Sequence, residues 1–215
     1  MSIIITLILE FVFIINLVFF WSAFLKQNEH PILFSSYKTI FPYIWTISLV
    51  GSLIINSNFL QFLFPTNISY FQDLWIWFFM LGFVLILVGI KIISMVRKSF
   101  KVDVVSAQEA KLITSGAYAI VRHPVYLAWV LIFTGWSFIL DSPLAILFVP
   151  VLTLFLAAHS LYEERYILIP KYDDLYRRYY KKVPYRLFAP PYNYLIIIIG
   201  IIVAYLGLVN YVFPS

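Results

Sequence analysis

The chain has 215 residues, 63% of them hydrophobic and 12% charged, with a formal net charge of +5. Soluble domains carry about 25% charged residues, so a chain this apolar has lipid as its main solvent. It has no cysteine, which excludes disulfides, thiolate metal sites and a cysteine nucleophile.

A membrane helix needs roughly 20 mostly apolar residues. The first stretch that qualifies is 3–25, "IIITLILEFVFIINLVFFWSAFL". It lacks the basic start and small-residue cleavage site of a signal peptide, so it is expected to be a retained span. Further spans are predicted at 41–64 and 74–96. Two shorter apolar segments, 125–140 and 143–162, are separated by Asp141 and Ser142, with Pro143 at a helix start. They predict a helical hairpin. A last segment is expected at 193–212. The fold class is therefore all-α, a polytopic integral membrane bundle of five to six segments. Three regions follow: an N-terminal three-span part, 1–96; a region 97–191 holding a polar connector, the hairpin and an amphipathic helix; and a C-terminal helix, 192–215.

The basic residues set the expected sidedness. Lys26 and Lys38 follow the first span. Lys91, Arg97, Lys98, Lys101, Lys111 and Arg122 lie at or beyond the end of the third. Arg165, Lys171, Arg177, Arg178, Lys181, Lys182 and Arg186 follow the hairpin. With alternating spans all three groups share one side, which the positive-inside bias makes cytoplasmic. Both chain ends are then expected on the opposite side. Charges that flank spans in this way predict membrane lipids as partners, and not nucleic acid. The aromatic content, 20%, suits lipid-facing surface and subunit interfaces alike, so it leaves the oligomeric state open.

Two polar pieces carry the chemistry. In "SGAYAIVRHPVY", Ser115-Gly116 reads as a turn and Pro124 suits the first turn of a helix. Free N–H groups at that helix N-terminus, with Arg122 and His123, predict a site for a carboxylate or phosphate. The alternative is that Arg122 snorkels to headgroups and His123 caps the interface. In "AAHSLYEERY", His159 and Glu163 share a helix face, being four residues apart. Glu163 and Glu164 at a helix C-terminus oppose the macrodipole, so they either pair with nearby Lys and Arg or receive a cation from a ligand. Tyr172, Tyr176, Tyr179 and Tyr180, interleaved with basic residues, read as an interfacial amphipathic helix, with stacking on an adenine as the alternative. No Rossmann or P-loop motif, HExxH or other zinc pattern is present, so no metal is predicted.

Taken together, "SGAYAIVRHPVYL", then "EERY", a tyrosine-rich stretch and "VP", resemble the integral-membrane methyltransferase superfamily, over about 108–188. That group includes isoprenylcysteine carboxyl methyltransferases and phospholipid N-methyltransferases. The resemblance implies S-adenosylmethionine in a cytoplasmic pocket and a lipid or prenylated substrate arriving from the bilayer. It implies cofactor contacts from Leu112, Ile113, Tyr118, Arg122, His123, Pro124, Val125 and Tyr126, with Glu163 taking the cofactor's amino group. The cofactor's tail is a zwitterion, which a helix N-terminus and a carboxylate would grip at opposite ends. His159 and Glu164 are the candidates for catalytic, substrate-side roles. Relatives often carry Arg where this chain has His159, and Gly where it has Ala128. The chain also runs one residue longer near Ile169-Pro170. "VPYR" at 183–186 is similar to membrane sterol reductases that use NADPH, although those carry Arg-Asp-Glu where this chain has Tyr162-Glu163-Glu164. A non-catalytic membrane scaffold is the third reading.

Overall fold

The computed structural model describes residues 2–25, 31–55, 74–105 and 112–190, together with positions 194, 198, 200–202 and 205. Among these residues the ordered elements are all helical. They are α1 (Ser2–Leu25), α2 (Pro31–Ile55), α3 (Trp75–Val105), a short 3-10 turn (Gly116–Ala119), α4 (Pro124–Ile139), α5 (Pro143–Glu163), a π-helical segment (Glu164–Leu168) and α6 (Ile169–Lys182). Trp75–Phe100 and the continuous run Ala145–Lys182 are long and apolar enough to cross a membrane. Most of the expected last segment, 193–212, lies outside the described residues.

The chain divides into two compact units: Met1–Gln72 with Leu140–Phe148, and Asp73–Ile139 with Val149–Ser215. In the first unit α1 and α2 run antiparallel. Leu9 faces Gly51, Phe13 stacks on Trp45 with ring centroids 6.0 Å apart, and Phe20 meets Phe41 at 4.3 Å. Asn16 on α1 is buried, and its side-chain amide donates to the Phe41 carbonyl at 3.3 Å. Ser48 and Ser52 also turn inward and return their hydroxyl protons to carbonyls of their own helix, so neither leaves an unmet donor in the packed interface.

In the second unit α3 and α4 cross at backbone distance. A Cβ added to Gly82 would lie 2.6 Å from the Gly135 carbonyl, and one on Gly89 would lie 3.1 Å from the Ala128 carbonyl. The two contacts are seven residues apart on each helix, in opposite directions, which makes the pair antiparallel. Small residues allow this approach where lipid supplies no hydrophobic drive between helices. Ala128 is fully buried in this crossing, where it touches α3 and not the pocket described below.

Helix boundaries depart from the hydropathy pattern in two places. α2 begins at Pro31, ten residues before the predicted span, because proline is favoured at a first turn and a helix need not be apolar throughout. α3 continues to Val105, past the predicted end at 96 and past Arg97 and Lys98, so the regional boundary drawn at 96/97 falls inside a helix.

After α5 the helix widens. The Ile169 N–H donates to the Glu164 carbonyl, five residues back. Pro170 follows, with no N–H to give and a ring that would press on the preceding turn, and a wider turn relieves that crowding. α6 is kinked at Asp173, whose φ is +38°.

Candidate active site

The site is built from three stretches of the second unit. The first is the turn before α4. Gly116 has φ +60°, a conformation that favours glycine, and a Cβ there would collide with the Ser99 hydroxyl. That hydroxyl sits within 3.3 Å of the Ser115 carbonyl and 3.1 Å of the Met95 carbonyl, so the turn is tied to α3. The chain then runs through Arg122 and His123 into Pro124 at the start of α4. Alongside it lies the "VPYR" strap: the Arg122 N–H donates to the Tyr185 carbonyl at 2.9 Å, and the His123 N–H to the Arg186 carbonyl at 3.0 Å.

Behind this backbone is a buried ion cluster centred on Glu164. Arg122 Nε donates to Glu164 Oε1 at 2.8 Å, His123 Nε2 lies 2.9 Å from the same oxygen, and Arg186 Nη2 donates to Oε2 at 2.9 Å. Arg122 Nη1 donates to the carbonyls of Val183 and Pro184, and its guanidinium lies 4.2 Å from the Tyr180 ring centroid. Arg122 Nε and Nη1 are thus engaged inside the protein, and the first of these bonds helps Glu164 to be tolerated near a helix C-terminus.

Glu163 sits one step nearer the surface. Tyr126 Oη donates to Glu163 Oε2 at 2.8 Å, and His123 Nδ1 lies 3.4 Å from that oxygen. The imidazole of His123 therefore bridges the two glutamates. Its ring is parallel to that of Tyr126, centroids 5.4 Å apart.

These electrostatics follow from the contacts. Burial alone would raise the Glu164 pKa, but hydrogen bonds from His123, Arg186 and Arg122 outweigh it and hold the carboxyl well below its ordinary range. Glu163 is likewise lowered, burial being overcome by His123 and Tyr126. Burial would lower the His123 pKa, yet its bonds to both glutamates raise it above 6.5.

A cavity of about 540 Å³ opens on the other side of the wall. Leu112, Ile113, Tyr118, Arg122, His123, Pro124, Val125, Tyr126 and Glu163 all line it. Glu164 does not; it holds the wall from behind. His159 stands beside the wall, its ring 5.5 Å from that of Tyr126. The sequence left several lining residues out: Phe100, Leu168, Lys171, Tyr172, Tyr176 and Tyr179. Tyr176 and Tyr179 are buried against Leu112, Tyr118 and Leu168, so this face of α6 is a cavity wall, which departs from the interfacial reading and leaves room for the stacking alternative. Tyr180 alone of the four follows the expected exposure, at 47%. The spacing of 172, 176 and 179 was the available signal, because three such rings on one face can pack inward as readily as onto lipid. Arg186 was also missed as a partner of Glu164; only the fold brings them together.

The cavity's chemistry matches a molecule with a flat ring and a zwitterionic tail. The N–H groups of Val125 and Tyr126, in the first turn of α4, have no carbonyl four residues back within the helix and suit a carboxylate. Glu163 suits an ammonium, and the Tyr118, Tyr172, Tyr176 and Phe100 rings suit a stacked base. The volume is that of an ordinary small-molecule site.

Among the described residues, all-helical elements with two helices long and apolar enough to cross a membrane enclose a mostly apolar pocket with one polar wall, as suits a membrane protein. Residues 75–170, a little under half of the chain, match the family model of the isoprenylcysteine carboxyl methyltransferase (ICMT) family. The match agrees with the motifs that resemble the integral-membrane methyltransferase superfamily. Neither a curated protein nor a solved structure matches the chain.

Proposed function

We propose that the chain is an S-adenosylmethionine-dependent methyltransferase acting on a lipid or prenylated substrate at the cytoplasmic face of a bundle of five to six membrane segments. The observation that carries this reading is the shared cavity wall of the α4 N-terminus and Glu163, facing aromatic rings from α6. S-Adenosylmethionine, when bound, supplies an electrophilic methyl group on a sulfonium. The protein's part is positioning, which can supply much of the rate of an in-line displacement. Glu163 would hold the ammonium and the α4 N–H groups the carboxylate. Glu164 keeps His123 and Arg122 fixed behind them. His159, next to Tyr126 and a turn deeper than Glu163, would face the substrate.

Calorimetric titration with S-adenosylhomocysteine and, separately, NADPH tests the reading. Binding of the thioether is expected, weakened about tenfold or more in Glu163→Gln, since a charged hydrogen bond is worth roughly 1.5–3 kcal/mol. Tight NADPH binding without thioether binding would replace the proposal with a reductase.

A further inference from the structure

α6 has two faces. Tyr172, Tyr176 and Tyr179 line the cavity. The opposite face carries Arg177, Arg178, Lys181 and Lys182, all exposed. At roughly 100° per residue these four positions fall within about 140° of arc, centred opposite Tyr176 and Tyr179. Leu175, 61% exposed, borders the basic stripe on one side, and Tyr180 borders it on the other. No Asp or Glu occurs between 175 and 190. Asp173 lies 3.5 Å from Arg177, but both side chains are well exposed, where water screens the pair. Among the described residues Arg178, Lys181 and Lys182 form no ion pair.

A basic stripe edged with apolar side chains fits an anionic lipid surface: the cations meet headgroup phosphates while the edges enter the acyl boundary. Its position agrees. The helical run Ala145–Lys182, long and apolar enough to cross a membrane, ends on these basic residues. α5 supplies the apolar length, and charged residues dominate from Lys171 on. In a bilayer crossed by that run, the stripe stands at headgroup level. Tyr180 joins the two faces of α6. It is exposed at the edge of the stripe, yet the guanidinium of Arg122, a cavity-lining residue, lies 4.2 Å from its ring centroid. Upstream, the kink at Asp173, with φ +38°, is a strained link to the π segment, so the surroundings of α6 must hold its position.

We infer that the outer face of α6 docks on anionic lipid headgroups, and that this docking holds α6 in place as a wall of the cavity. The occupant is the phosphate-bearing surface of the bilayer itself. The inference concerns the wall and is independent of what the cavity binds.

The chain has no cysteine, so a polarity-sensitive fluorophore on Leu175→Cys reports this face alone. The full chain is placed in nanodiscs of phosphatidylcholine, with or without phosphatidylglycerol. Emission should shift to the blue with the anionic lipid and return in about 1 M salt, where the screening length falls to about 3 Å. Amide exchange across α6 should slow about tenfold in the same anionic discs. Changing Arg177→Gln, Arg178→Gln, Lys181→Gln and Lys182→Gln together should abolish both responses. Exchanging Arg for Lys and Lys for Arg at the same positions should keep them. Equal emission in the two lipids overturns the inference. A label blue in both would mean a face held by apolar contact alone, and a label exposed in both a face that serves an acidic soluble protein. An emission shift without slower exchange would overturn the bracing of the cavity wall.

Discussion

Arg122 and Glu164, 42 residues apart in sequence, meet at 2.8 Å with neither side chain more than 5% exposed. The pair joins the start of α4 to the end of α5 and fixes the wall of the cavity. Removing one partner strands a buried charge. Glu164→Ala should therefore cost about 3–5 kcal/mol, while the double change Arg122→Met with Glu164→Leu should recover much of it. Unfolding in detergent measures both. An additive double variant would mean that the two side chains do not act as a pair.

Stability should peak in mildly acidic solution. The folded pKa of Glu164 lies below 4.5, so its contribution is present above that value and is lost as pH falls through the depressed pKa. The folded pKa of His123 lies above 6.5, so its contribution is full below 6.5 and is lost as pH rises through the raised pKa. Melting temperatures from pH 4 to 9 should decline above neutrality, and His123→Asn should flatten that alkaline limb.

The α3–α4 crossing should not accept side chains at its glycines. Gly135→Leu drives new atoms into the Gly82 carbonyl and should cost more than about 1–3 kcal/mol, the usual range for overpacking. Trp136→Leu, at an exposed neighbouring position, should stay within about 0.5 kcal/mol. Equal effects of the two would place the crossing elsewhere.

The buried tyrosines should separate cleanly. Tyr179 Oη donates to the Tyr118 carbonyl at 2.7 Å, so Tyr179→Phe should cost about 1 kcal/mol and leave a carbonyl unmet. The buried Tyr176 hydroxyl faces the Glu164 carboxylate without a hydrogen bond of regular geometry, so Tyr176→Phe should cost less than Tyr179→Phe. Thermal unfolding of the two single variants compares them directly.

The helices of this chain were legible because an apolar run of 20 or so residues has few alternatives. Pro124 and Pro143 marked their helices in sequence, and both begin helices in the structure. The order Arg122, His123, Pro124, Val125, Tyr126 pointed to a cavity wall for a physical reason, the exposed N–H groups of a helix start. The direction in which Arg122 points was not legible, since it depends on carbonyls of 183 and 184 delivered by the fold. Nor was the burial of Tyr176 and Tyr179, because an amphipathic stripe of rings fits lipid and a pocket equally well. Glu164 differs from Glu163 only by one step of helix, yet that step separates a residue behind the wall from one in it.

The π segment Glu164–Leu168 sets the phase of everything that follows it. One residue beyond regular α-helical count turns the later side chains by roughly 100° relative to the earlier ones. Lys171, Tyr172, Tyr176 and Tyr179 reach the cavity on the far side of that offset. Deleting a single residue between 165 and 169 would leave composition and helicity almost intact while rotating a whole wall away from the pocket. Length in this short stretch is therefore under tighter geometric constraint than the identity of its side chains.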